Sequence, residues 1–213
     1  MSAAFVPIPL VDGGLVEHDG VRVRTWGGAP VRFDGGTVFG FVDQTTRVRF
    51  DGDEEAFVLR AGCYFVAPEG ASLSGGRGLA VVAPGYRGLR QVGGPLEASG
   101  RLRYIDGCTD TLLVSPPRRG EPCVNHLHVP AGTRQSEHFH PSVRIGTIAR
   151  GRGTCVAGAQ RWPLEAGMGW VIPRERPHFF ETTDSPLDVF TWHPDTDVGP
   201  TDEDHPMVNR TWR

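Results

Sequence analysis

An all-β fold is what this 213-residue sequence predicts, and three features predict it. Short runs rich in Val, Phe, Ile and Leu recur along most of the chain. Gly and Pro, 29 and 18 residues, are scattered between those runs rather than gathered in one tract. Convincing helical periodicity is missing. Many short strands joined by turns indicate an antiparallel sandwich or barrel, not a helical bundle and not disorder.

The strands are read in order as Val21–Trp26, Thr37–Val42, Arg47–Phe50, Ala56–Leu59, Tyr64–Ala67 and Leu79–Ala83. A less regular middle follows, in which Pro95–Arg103 has room for a helical turn or two. Strands then resume with Thr111–Val114, Val124–Val129, Arg144–Ala149, Gly153–Ala157, Met168–Ile172 and Leu187–Trp192. The order contains an echo. Leu59-Arg-Ala-Gly62 and Pro68 reappear as Leu164-Glu-Ala-Gly167 and Pro173, both at an offset of 105 residues. Phe39-Gly40-Phe41-Val42 is likewise matched by Ile145-Gly146-Thr147-Ile148. Two duplicated halves, residues 1–100 and 101–213, are expected.

Composition excludes several functions. The net charge of −3 provides no basic field for nucleic acid or an anionic membrane. No apolar run reaches the roughly 18 residues that span a bilayer. All 22 basic residues are Arg, so Schiff-base chemistry and a Walker-type phosphate loop lack their lysine. The opening segment has no charged start and long apolar core of a secretion signal, and Cys63, Cys108, Cys123 and Cys155 form no C-x-x-C pair. Reduced, structural cysteines and a cytoplasmic location are the expectation.

Seven of the eight histidines lie after residue 125. His138-Phe-His140 would put two imidazoles on one face of a strand, because side chains alternate with period two. His178, after a Gly-x5-Pro turn on a later strand, can add a third nitrogen. Three imidazoles leave open positions on a metal, as a catalytic site requires.

On these residues the chain resembles the cupins. Gly132, five residues, His138-Phe-His140, three residues, Arg144, six residues and Gly151 fit the spacing of that family's first motif. Gly167, Pro173 and His178 fit its second, with Glu175 in place of a glycine and Thr182 in place of an asparagine. In the first half Gly62 and Pro68-Glu69-Gly70 fit the second motif, but Leu73 stands where the metal histidine would be. The resemblance implies a double-stranded β-helix (jelly-roll) bicupin of two merged barrels, with a degenerate N-terminal half and one metal site in the C-terminal half.

Arg144 occupies the place of the family's fourth ligand, a glutamate, and a guanidinium cannot coordinate a cation. The resemblance then implies a three-histidine site of His138, His140 and His178, as in some cupin dioxygenases, holding one divalent ion: Fe(II) first, with Mn, Ni or Zn open. Arg144 could fork onto a substrate carboxylate, or turn outward into a structural ion pair. His126 and His128, a second His-x-His pair, are read as cavity-lining acid/base groups, with solvent or a partner subunit as the alternative. Gln135 could reach the metal or its water, Glu137 should point away, and the link carrying Tyr104, Asp106 and Asp110 could cover the cavity mouth. The acidic tail after His193 could bind a cation, but a hydrogen-bonded closing loop is the expected use. Cys155 reads as a core residue.

The function expected is a metal-dependent oxygenase acting on a small carboxylate- or enolate-bearing substrate. The alternatives are redox-free isomerase, epimerase or lyase chemistry, and a non-catalytic small-ligand binder. The partners expected are a small anionic molecule and a second copy of the chain, forming a homodimer.

Overall fold

The structure is a computed structural model that describes residues 3–212. Its regular elements are strands: β1 (Val6–Pro9), β2 (Leu15–His18), β3 (Val21–Trp26), β4 (Val31–Phe33), β5 (Thr37–Gln44), β6 (Thr46–Phe50), β7 (Phe57–Leu59), β8 (Tyr64–Ala67), β9 (Ala71–Ser74), β10 (Arg77–Ala83) and β11 (Gln91–Gly93). They continue as β12 (Leu102–Arg103), β13 (Thr109–Val114), β14 (Cys123–Val129), β15 (Arg144–Ala157), β16 (Gln160–Glu165), β17 (Met168–Ile172), β18 (Phe179–Glu181) and β19 (Leu187–His193). Pro95–Arg103 holds no helix; the helical turns among the described residues are 3-10 turns at Ile105–Gly107 and Val208–Arg210. Among the described residues no helix is long and apolar enough to cross a membrane.

The strands form three antiparallel sheets. A six-stranded sheet runs β11-β8-β5-β10-β3-β2 and a four-stranded one β4-β9-β6-β7. A third runs β1-β17-β15-β19-β14-β13-β12, with β16 and β18 added on the far stretch of β15. The first strand therefore leaves the early part of the chain and pairs Val6 with Val171 in the late sheet.

Period-two alternation decides what each strand buries. In β10, Leu79, Val81 and Ala83 face one core while Ala80 and Val82 face another, so the strand is buried on both sides. The first of these cores lies between the six-stranded and nine-stranded sheets. There Phe41 stacks on Phe190 with ring centroids 5.0 Å apart, and Phe39 packs on Trp192 at 6.0 Å. The second core fills the space between the six- and four-stranded sheets around Trp26, Phe33 and Phe65. The third lies inside the late sheet around Trp170, Ile148 and Leu187. At roughly 25 cal/mol per Å² of apolar surface, these three cores supply the main driving force for folding.

The internal echo has a physical basis. A Cβ on Gly40 would meet the Phe65 ring at 2.1 Å, and one on Gly146 would meet the Trp170 ring at 2.6 Å. Each glycine pairs with that aromatic residue across the sheet, Gly40 with Phe65 and Gly146 with Trp170. In both places a large ring lies flat over a partner strand that has no side chain in the way.

Candidate metal centre

The interior face of the late sheet opens into a cavity of about 330 Å³, the size of a small-ligand pocket. His138, His140 and His178 line it, and one ligand nitrogen from each lies within 4.8 Å of the others. Ring centroids are 5.1 Å apart for His138–His140, 4.8 Å for His138–His178 and 5.3 Å for His140–His178.

The local backbone differs from the expectation of two regular strands. His138 and His178 form an isolated antiparallel bridge, each N–H donating to the other's carbonyl at 3.0 and 2.9 Å. His138-Phe-His140 is thus an irregular segment, and His178 immediately precedes β18. Alternation survives: Phe139 is 62% exposed while both flanking imidazoles turn inward. The His140 carbonyl accepts the N–H of Glu175 at 2.8 Å, which ties the two histidine segments together again.

Two tautomers are fixed by the backbone. His138 Nδ1 donates to the Ser136 carbonyl at 2.8 Å, and His178 Nδ1 donates to the Arg176 carbonyl at 2.7 Å. Each neutral ring then keeps its lone pair on Nε2, the nitrogen left for a cation. Asp106 supports the first of these, accepting the Ser136 N–H at 2.5 Å and its hydroxyl at 3.0 Å. Burial, with Arg144 and the neighbouring histidines adding repulsion, lowers His140 to about 3. Burial likewise lowers His178 to about 4, against the backbone hydrogen bond at Arg176. His140 and His178 are therefore neutral at ordinary pH, the form that binds metals, and the three-imidazole donor set fits a divalent ion.

Arg144 turns inward. It lies on the same face of β15 as Gly146 and Ile148 and lines the cavity. Its hydrogen bonds all leave from Nη1: 2.6 Å to the Ser142 hydroxyl, and 3.3 Å to the Ser142 and Val143 carbonyls. Asp195 Oδ1 is 4.0 Å away. Nε and Nη2 have no protein partner among the described residues. Burial pulls the guanidinium below its ordinary value, and Asp195 opposes that pull.

His126 and His128 are not in this cavity, contrary to the expectation that they line it as acid/base groups. Asn125 and Leu127 line it instead, so alternation sends His126 and His128 to the other face of β14. There both rings bind one buried carboxylate, His126 Nε2 to Asp188 Oδ1 at 2.8 Å and His128 Nδ1 to the same oxygen at 2.9 Å. Arg150 Nε completes the cluster, 3.1 Å from Asp188 Oδ2.

The remaining candidates sort as follows. Gln135 lines the cavity, but its amide is engaged, accepting the Phe180 N–H at 3.0 Å and donating to Cys108 Sγ at 3.4 Å. Glu137 is exposed. Tyr104 and Asp110 of the link reach the cavity wall. The tail forms a hydrogen-bonded loop: Asp195 Oδ1 accepts the Ser142 hydroxyl at 2.5 Å, and Gly120 N–H donates to the Thr196 carbonyl at 2.8 Å. All four cysteines are free and buried, and burial holds the Cys155 thiol up at about 12. His193, Thr191 and Asn125 are cavity residues that the sequence reading did not assign. Their signal is the register of β14 on β19, which pairs Asn125 with Thr191 and Cys123 with His193.

Comparison with known proteins agrees with this geometry. The family profile described as Cupin domain matches residues 125–193. No curated protein matches the sequence. Among solved structures, a Cupin 2 conserved barrel domain protein from Leptotrichia buccalis is similar with a TM-score of 0.60 at 10% identity, over 92% of this chain and 91% of that one. A salicylate 1,2-dioxygenase variant from Pseudoaminobacter salicylatoxidans, in complex with gentisate, is similar with a TM-score of 0.60 at 12% identity, over 82% and 68%. An 11S globulin from Wrightia tinctoria, described as revealing an auxin binding site, has a TM-score of 0.59 at 10% identity, over 90% and 83%. The chain thus has the all-β jelly-roll fold of the cupins, and the part of it that matches the cupin domain is the part that carries the three clustered histidines.

Proposed function

We propose that this protein is a bicupin of two merged halves, 1–100 and 101–213, with a metal-dependent enzyme site in the second half only. The reading favoured is a dioxygenase acting on a small carboxylate bearing a neighbouring hydroxyl or enolate oxygen. The observation that carries it is the cavity that joins three clustered imidazoles to an inward arginine with free N–H groups. The structural likeness to a salicylate 1,2-dioxygenase bound to gentisate, both aromatic hydroxy acids, supports the substrate class by analogy of fold.

His138, His140 and His178 would hold the ion, Fe(II) first and Mn, Ni or Zn as alternatives. The chemistry such an ion supplies when bound is Lewis acidity toward a chelating ligand and, for iron, the one-electron chemistry that dioxygen requires. The rest falls to the chain. Arg144 Nε and Nη2 receive the substrate carboxylate, while Ser142 and Asp195 hold the guanidinium in place from Nη1. Trp170, Ile172 and Phe180 form the apolar wall that excludes water around an aromatic or alkenyl body. Gln135 fixes that wall by holding the Phe180 backbone.

The test is to load the purified protein with Fe(II) and follow oxygen uptake with hydroxybenzoates, keto acids and thiols. Oxygen consumption with one of these supports the oxygenase. Turnover without oxygen consumption, with Zn(II) as effective as Fe(II), assigns the Lewis-acid isomerase or lyase reading. Ligand binding with no turnover at all assigns a non-catalytic binder, a use that the globulin likeness keeps open. Arg144→Gln separates the clamp from the metal: the ion stays, and affinity for a carboxylate ligand falls about tenfold or more, the scale of one charge-assisted contact. Loss of the metal from Arg144→Gln would remove the clamp assignment.

A further inference from the structure

His126 misses the three-histidine cavity but lines another. On the opposite face of β14, a groove of about 430 Å³ is bounded by β13, β14, Tyr64 of β8 and residues 94–101 of the link. His126 lines it while only 1% exposed, so the ring belongs to the base of the groove rather than its rim.

The Asp188 cluster fixes the form of that ring. Burial pushes the Asp188 carboxyl up, but hydrogen bonds from His126 and His128 and the charge of Arg150 outweigh it and hold the group below its ordinary range. An ionised carboxylate only accepts, so His126 Nε2, 2.8 Å from Asp188 Oδ1, is the donor. In the neutral ring the lone pair is then on Nδ1, which has no protein partner among the described residues. Arg150 holds Asp188 through Nε and the Glu97 carbonyl through Nη2, so one side chain fixes both the support of His126 and the wall of the link.

A second unused polar group lies beside the first. Thr111 is directly opposite His126 in the register of β13 on β14, and residues so paired share a face with Cβ atoms about 5 Å apart. Thr111 Oγ1 accepts the Arg101 N–H at 2.9 Å, and its own O–H has no acceptor among the described residues. Other polar groups of the groove satisfy one another. Tyr64 donates to the Leu113 carbonyl at 3.1 Å, and Arg101 forks onto the Glu97 carboxylate at 2.6 and 2.8 Å. Charges cancel in pairs, Glu97 with Arg101 and Asp188 with Arg150, so nothing there selects an ion. What is left is one donor next to one acceptor, flanked by Leu96, Leu113 and the Tyr64 ring.

We propose that this groove is a second small-molecule site, for a neutral compound with an amide edge (a carboxamide or lactam) whose C=O accepts from Thr111 and whose N–H donates to His126 Nδ1. The ligand N–H supplies the partner that this buried nitrogen lacks, and the apolar wall takes the body of the ligand. The site is independent of the metal-centre function proposed above.

Benzamide titrated into the full-length, metal-free protein at pH 8 tests this, read by nitrogen-15 NMR of the His126 ring. The expected result is a free ring protonated at Nε2 alone, and a saturable shift of Nδ1 with a Kd in the millimolar range, the scale for a ligand this small. Methyl benzoate, which accepts but does not donate, should bind at least about fivefold more weakly. Thr111→Val should weaken benzamide by a similar factor with the His126 tautomer unchanged, and Thr111→Ser, which keeps the hydroxyl, should restore binding. A His126 ring protonated at Nδ1 overturns the proposal. So does benzamide that reaches its solubility limit with no saturable shift at His126, or that shifts only residues around the three-histidine cavity. Equal affinity for methyl benzoate overturns the recognition of an amide. A folded Thr111→Val protein that binds benzamide as the wild type does overturns the donor role given to Thr111.

Discussion

On the two-half reading proposed above, the halves of this chain use opposite chemistry at one step of the fold. In the first half Val31 of β4 pairs with Leu73 of β9, and both pack into the apolar core around Trp26. In the second half the equivalent bridge joins His138 to His178 and opens into a cavity. Around that step the halves agree closely. Gly40 lies under Phe65 as Gly146 lies under Trp170, and Gly62 and Gly167, which open the matching turns, have φ of +82° and +83°. The scaffold therefore accepts either an apolar plug or a ring of imidazoles. The plug adds hydrophobic burial, whereas the imidazoles cost desolvation, which is visible in His140 and His178 lowered to about 3 and about 4. Histidines placed at such a cost point to a ligand rather than to stability.

The comparison can be broken most completely by making the second half resemble the first. His178→Leu is expected to abolish metal uptake, measured by elemental analysis, while the far-ultraviolet circular dichroism stays that of the wild type. The same substitution should leave the metal-free protein no less stable, because a buried imidazole gives way to a residue like Leu73. The reverse exchange is the next largest effect. Leu73→His puts an imidazole into a core with no polar partner, at an expected cost of about 3 kcal/mol in denaturant unfolding. It should gain no metal, since Val31 and Phe33, in the places of His138 and His140, provide no second imidazole.

How much of this could be read in advance follows from the range of each interaction. Val21–Trp26, Tyr64–Ala67 and Met168–Ile172 are strands with the bounds that their apolar runs suggest. β1 was not legible because Pro7 and Pro9 argue against a strand, and it survives as an edge strand where a missing N–H goes unneeded. Arg144–Ala149 and Gly153–Ala157 read as two strands but are one, β15, which passes from β17 and β19 to β16 and β18. The Arg150-Gly-Arg-Gly sequence there looks like a turn and is instead a bulge, with a register shift beside it and Gly151 at φ +79°. His138, His140 and His178 were legible because a short bridge and a known spacing relate them. Asp110, Asn125 and His193 were not, because they meet only through the long-range pairing of β13, β14 and β19. The parity of β14 was equally open: Asn125-His-Leu-His128 is mixed on both faces, and only Asp188, 60 residues on, decides which pair turns inward.

Acid should separate the halves more gently. His140, His178 and His193 are lowered to about 3, about 4 and about 4, and all lie in the second half. Below the ordinary histidine value near 6.5 the unfolded chain takes up protons that these folded groups refuse. Stability of the metal-free protein is therefore expected to fall as pH drops from about 6.5 toward about 4, and His178→Leu should flatten that slope. Chemical denaturation across this window, with and without a saturating divalent ion, measures it. A slope unchanged in the variant would remove His178 from the account.

The smallest effect concerns the turn before the histidine. Gly70 in the first half and Glu175 in the second occupy the same motif position, and both have positive φ, +119° and +57°. At Gly70 a Cβ would lie 2.6 Å from the Phe33 carbonyl oxygen, so glycine is obligatory there. At Glu175 the left-handed conformation is merely strained, by about 1–2 kcal/mol for a residue with a Cβ. Replacing it with glycine relieves that strain but adds about 0.5–1 kcal/mol of unfolded-state entropy. Glu175→Gly is thus expected to stabilise the protein by somewhat less than 1 kcal/mol, a rise in Tm of about 2–3 °C. The N–H that Glu175 donates to the His140 carbonyl comes from the backbone and survives the change, so metal affinity should be unaffected. A fall in Tm would mean that the glutamate side chain, rather than the turn, explains why this half departs from glycine.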